Sequence, residues 1–148
     1  MKKYLLIFAC ILGFSMVACS DDDDWESIDF GQLPSQAQGF LETYWGGQKI
    51  SEMEKEGSGS GATYEVTLTN GVEIEFDGNG LWIDVDAPMG MSLPTAFINP
   101  GITNYVMLNY PTDGINEISR EYYGFEVELT NDVDLYFDNM GDILQSPY

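Results

Sequence analysis

Histidine is absent from this chain, cysteine occurs only twice, and five lysines and arginines stand against 25 aspartates and glutamates. Without histidine, and with cysteine so scarce, zinc and copper centres built on imidazole and thiolate are excluded. Ser-His-Asp and Cys-His catalysis are excluded on the same ground. The formal net charge of −20 disfavours nucleic acid and anionic membrane surfaces, and would favour a cationic partner. Long apolar runs are also lacking: the N-terminal run from Tyr4 to Val17 is too short to span a bilayer.

That run follows Lys2 and Lys3 and ends in Met16-Val17-Ala18-Cys19. A basic start, an apolar stretch and small residues before a cysteine read as an export signal over residues 1–18, processed at Cys19, the expected lipidation site. Two or three acyl chains on Cys19 would hold the protein stably at a membrane. Cys10 leaves with the signal, so no thiol remains for a disulfide and the core must hold without staples. Ser20 and Asp21–Asp24 follow as an acidic tether over residues 19–30. The Cys-Ser-Asp-Asp-Asp pattern resembles the signal that sends some Gram-negative lipoproteins to the outer face of the outer membrane. The expected location is therefore the cell surface, with the periplasmic face as the alternative. Removing the signal leaves Lys49, Lys55 and Arg120 against every acidic residue of the chain.

The remainder repeats itself. Tyr64–Asp77 matches Phe125–Asp138 position by position, and Gly80 and Gly141 keep that register. Upstream, Ile50–Glu56 matches Ile115–Glu121, and Leu33-Pro34 matches Leu93-Pro94. The order of segments is kept while the lengths between them differ, as in a tandem duplication with changes at loops. The expected units are residues 31–87 and 88–148.

Within unit one, Leu33, Ala37, Phe40, Leu41 and Tyr44 fall at helical spacing, with Pro34 suited to a first turn. Leu93, Phe97, Ile102, Tyr105 and Val106 do the same in unit two, with Asn99-Pro100-Gly101 breaking that helix into two pieces. Strands follow. Tyr64, Val66 and Leu68 alternate with polar residues, Asn70-Gly71 predicts a two-residue hairpin turn, and Val72, Ile74 and Phe76 resume the alternation. After Asp77–Gly80, Leu81, Ile83 and Val85 alternate with Trp82, Asp84 and Asp86. Phe125–Leu129 and Val133–Phe137 repeat the pattern around Asn131-Asp132, and Ile50–Glu56 and Ile115–Glu121 add the first strand of each unit, with four strands expected in each. The predicted fold class is α+β: a tandem duplication, each unit one or two helices packed on a four-stranded antiparallel meander whose other face is wet.

These pieces, Leu33-Pro34, Phe40-Leu41-Glu42-Thr43-Tyr44, Tyr64–Gly80, and Asn109-Tyr110-Pro111 with Tyr123–Leu129, resemble the PepSY-like domain of small exported lipoproteins from about residue 30 onward. The resemblance implies a fold similar to beta-lactamase-inhibitor protein, and an inhibitor analogy at fold level only. Unit one departs from the pattern with Trp45-Gly46-Gly47 after its helix and with a Gly-Ser linker over 57–61, which implies a longer first hairpin.

Glu73, Glu75, Asp84 and Asp86 are expected to crowd one sheet face. Trp82 shares the parity of Asp84 and Asp86, and Tyr136 takes the place of Glu75, so both aromatics are expected outward as anchors among Glu73, Asp84 and Asp86 for a protein or peptide partner. Trp25 would peg the tether and Trp45 would close its helix. Asp77–Gly80 lacks the third acid and the later glutamate of a calcium loop and reads as a hairpin turn. The sequence implies no metal, no cofactor and no nucleic-acid partner, and a membrane only through the lipid anchor. The expected function is a non-enzymatic, envelope-anchored binding module. Inhibition of a peptidase or other enzyme is the alternative, and a carboxylate-based hydrolase, which needs a cleft holding two carboxyls, is a third.

Overall fold

The computed structural model describes residues 25–145. The expected signal, Cys19 and the Asp21–Asp24 run lie outside the described residues. No helix among the described residues is long and apolar enough to cross a membrane.

Nine strands, β1 (Glu26–Ser27), β2 (Ile50–Glu56), β3 (Thr63–Leu68), β4 (Glu73–Asp77), β5 (Trp82–Asp86), β6 (Ile115–Glu121), β7 (Gly124–Leu129), β8 (Asp134–Asp138) and β9 (Ile143–Leu144), form one antiparallel sheet in sequence order. Two helices, α1 (Ser35–Trp45) and α2 (Pro100–Asn109), complete the α+β fold. The sheets of the two halves, which the sequence leaves as separate or joined, are one sheet. Its seam is β5–β6, where Val85 pairs with Ile118 and Asp86 with Glu117.

The core lies between the helices and one sheet face. Val66, Ile74, Val85, Ile118 and Val127 run across its centre, all fully buried. Helix α1 contributes Ala37, Leu41 and Trp45, one stripe at four-residue spacing, and α2 contributes Ile102 and Val106. At the seam, buried Asn116 donates from Nδ2 to the carbonyls of Ala87, Pro88 and Met91 at 2.9, 3.1 and 2.9 Å. The two N–H groups of this amide are shared among three carbonyls of the segment that joins the halves.

Four expectations are corrected. Strand β1 lies inside the stretch expected to be tether: Glu26 pairs with Lys55, and Ile28, an apolar residue that gains by burial, joins the core. The second helix is one piece, starting at Pro100, with Asn99 Oδ1 accepting from Gly101 N at 2.8 Å. Leu93 and Phe97 are not helical. The Leu93 N–H donates to the Ile115 carbonyl at 2.7 Å, and Phe97 inserts among Phe40, Tyr44, Trp45 and Trp82. The Asn70-Gly71 turn is a three-residue loop rather than a two-residue one: Gly71 N donates to Leu68 O, Leu68 N to Val72 O, and Gly71 takes φ +88°.

The fourth correction concerns Trp82. It is 6 % exposed and faces the core, not the solvent. Strand β5 pairs Glu75 with Asp84 but Phe76 with Trp82, so Ile83 is an extra residue. A bulge of one residue reverses side-chain parity, and it puts Trp82 beneath α1 while leaving Asp84 outside. There the indole stacks 6.2 Å from Phe125, and the Arg120 guanidinium sits 4.1 Å above its ring.

Candidate functional site: the carboxylate face of the sheet

The face away from the helices carries two rows that cross the sheet. The register aligns Glu54, Glu65, Glu75, Asp84, Ser119, Glu126 and Tyr136 in one row. It aligns Glu52, Thr67, Glu73, Asp86, Glu117, Glu128 and Asp134 in the other. Every position but Thr67, Ser119 and Tyr136 is a carboxylate. No basic residue occupies a registered position on this face. Lys55 pairs with Tyr64 and Arg120 with Phe125, both on the helix side.

Directly opposed positions on a sheet are about 5 Å apart, and like charges there repel. The consequence appears in the titration of these groups. Burial first, then the charges of Glu117, Glu75, Asp86 and Glu121, push the Asp84 carboxyl up to about 8. Burial and the Glu73, Glu75, Glu54 and Glu52 charges raise Glu65 to about 7. Burial and the charges of Asp86, Glu128, Glu126 and Asp134 raise Glu117 to about 7. Glu75 and Asp86 are raised chiefly by burial and by Glu73, with a backbone hydrogen bond at Ala87 partly opposing the shift at Asp86. Half-burial thus combines with mutual repulsion to raise these carboxyls toward neutrality.

Of the five residues expected to meet a partner, the structure brings Glu73, Asp84, Asp86 and Tyr136 to this one face and removes Trp82 from it. Sequence reading missed the aromatic neighbours of Tyr136. Tyr122 and Tyr123 form the tight turn between β6 and β7, their rings 5.1 Å apart, and Tyr123 reaches Tyr136 at 6.2 Å. The Tyr123 hydroxyl donates to Glu126 Oε2 at 3.2 Å. Two adjacent tyrosines at a turn were the available signal.

The arrangement offers little to acid–base catalysis, which needs two carboxyls held in a cleft with their pKa values driven apart. Two shallow cavities, of about 500 and 100 Å³, lie elsewhere, around Trp45. Neither is lined by a residue of the carboxylate face. Among the described residues, no group of three or more acids converges as a metal centre would. Asp77 and Asp138 serve their own turns: Asp77 Oδ1 accepts from Asn79 N and Leu81 N, and Asp138 Oδ1 from Met140 N and Asp142 N.

Residues 62–145 match the family described as "Putative beta-lactamase-inhibitor-like, PepSY-like". Three solved structures share the fold. A "putative calcium-regulated periplasmic protein" of Bacteroides thetaiotaomicron is 34% identical, with TM-score 0.76, over 83% of this chain and 96% of its own. A "putative periplasmic protein" of the DUF2874 family from Bacteroides vulgatus is 32% identical, with TM-score 0.75, over 83% and 96%. Another from Bacteroides vulgatus, of unknown function, is 28% identical, with TM-score 0.74, over 82% and 97%. No curated protein matches the sequence.

Proposed function

The chain belongs to the PepSY-like family, and on that premise we propose that it is an exported, lipid-anchored, non-enzymatic binding module of the cell envelope. Its carboxylate face receives a cationic protein or peptide. The observation that carries this reading is the pair of acidic rows across the sheet, with no basic residue in register among them. A field of one sign speeds encounter with an oppositely charged partner and repels like-charged ones.

Cys19 is the proposed anchor. The periplasmic description of the neighbours supports export, and the Ser20–Asp24 run supports presentation at the outer surface of the outer membrane, with the periplasmic face as the alternative. The internal repeat is read as a tandem duplication. Its support is that β2 and β6 carry equivalent bulges, after Ile50 and Ile115, and that the loops at Gly80 and Gly141 abut the starts of α1 and α2.

The test is the affinity of the full chain for cationic proteins, read by surface binding at 50 and 500 mM salt. Combined Glu73→Gln and Asp86→Asn substitutions should weaken binding by about tenfold at low salt. Equal binding by the variant would sink the reading. Enzyme inhibition, the analogy carried by the family's description, is the second reading, and added chain should then inhibit exported proteases or β-lactamases at micromolar excess. Calcium, the ion named for the Bacteroides thetaiotaomicron neighbour, would act here as a counterion spread over the face. Its effect should accordingly need millimolar concentrations.

A further inference from the structure

We propose that the Tyr122–Tyr123–Tyr136 stack is the seat for an arginine side chain of a basic peptide segment that lies across the open face. This inference rests on the proposed function of that face and names where and how its partner is held. Three observations carry it. Tyr122 is 80 % exposed, and exposed aromatics with a polar rim are the common anchors of interfaces. The rings form one continuous stack: they meet edge to face at 83° and 69°, and the Tyr123 hydroxyl donates to Glu126. Glu126 in turn pairs directly with Tyr136, which sets a carboxylate beside the rings.

Charge selects the occupant. A guanidinium is attracted to an aromatic ring, is weakly hydrated, and forms paired hydrogen bonds with carboxylates, so rings beside Glu126 suit arginine better than lysine. The same chain displays the geometry on its opposite face, where the Arg120 guanidinium lies 4.1 Å above the Trp82 ring. The acidic rows extend the seat. Seven strands at about 4.8 Å make a path of roughly 30 Å, the length of about nine extended residues, so the partner is a segment of chain rather than a lone amine.

The experiment uses the full chain and three labelled nonapeptides of alternating residues, Arg-Gly, Lys-Gly and Gln-Gly, with binding followed by fluorescence anisotropy. The expected order is Arg-Gly tighter than Lys-Gly, with Gln-Gly unbound. Tyr122→Ala should weaken Arg-Gly binding by about three- to tenfold, and Tyr44→Ala, on α1, should leave it unchanged. Tyr122 is exposed enough that its variant folds, so the result does not depend on Tyr136→Ala, which is the second variant. If Tyr122→Ala binds Arg-Gly as the parent does while Glu73→Gln with Asp86→Asn binds it less, the seat is wrong and the receiving face stands. If the parent binds neither basic peptide at 50 mM salt, both readings fall.

Discussion

Trp82 concentrates what a single residue contributes here. Its indole is covered by Phe40 and Phe97 at 6.5 and 5.5 Å, stacked near Phe125, and capped by Arg120, whose Nε donates to the Trp82 carbonyl at 2.9 Å. Trp82→Ala should cost about 3–5 kcal/mol in denaturant unfolding, the range for removing a buried large ring. Arg120→Ala should cost less, about 1–2 kcal/mol, because it removes one hydrogen bond and a half-exposed cation–ring contact. An outcome in which Trp82→Ala unfolds at the parent's midpoint would contradict its burial. The sequence showed the alternation of β5 but not its interruption. Trp82, Ile83, Asp84 and Val85 read as a regular strand, and only the pairing with β4 shows Ile83 to be the inserted residue. Glu73, Asp84, Asp86 and Tyr136 were legible as outward residues because regular alternation holds at each of them.

At the scale of elements, the hairpin loops repeat one design with one exception. Gly71, Gly80 and Gly141 take φ of +88°, +85° and +87°, and Asp132 takes +62° at the position equivalent to Gly71. A left-handed aspartate costs more than a glycine there. Asp132→Gly should therefore raise stability by about 0.5–1 kcal/mol, less any loss from a freer unfolded chain. Gly80→Ala should do the reverse, and by more. Its Cβ would lie 2.8 Å from both the Ala37 nitrogen and the Pro34 Cβ, so the new methyl would push the loop off the start of α1. Thermal midpoints of the two variants check both signs. Glycine marked these turns in the sequence. It could not give their length, because Asn-Gly fits a two-residue turn as well as the three-residue loop found here. The non-helical stretch from Leu93 to Phe97 was hidden for a related reason: helical spacing of apolar residues also describes a loop threaded through a core.

For the whole molecule, the carboxylate face sets the pH dependence of stability. Unfolded carboxyls titrate near 4, whereas Glu65 and Glu117 titrate at about 7 and Asp84 at about 8 in the folded chain. Between these values the folded protein holds protons that the unfolded chain has released. The stabilisation from these groups is thus complete below about pH 4 and is lost as pH rises through 7 to 8. The thermal midpoint should fall between pH 5.5 and 8.5. Asp84→Asn should lift the midpoint at pH 8.5 by about 4 °C, the effect of about 1 kcal/mol in a domain of this size, and narrow the difference between the two pH values. A midpoint that instead rises with pH would show that these carboxyls are held by partners rather than by one another. The union of the halves was beyond sequence reading, since the β5–β6 seam depends on a long connection whose closure Asn116 secures.

The strict sequence order of the sheet also bears on how the protein is made. Each strand pairs only with its neighbours along the chain, and contacts between nearby segments form faster than distant ones. A chain delivered from one end, by a ribosome or through a secretion pore, can lay down β1 to β5 with α1 before Ile115 has emerged. Its later half then extends an edge that already exists. Assembly becomes growth along a ribbon, with only the crossing of residues 87–114 to wait for.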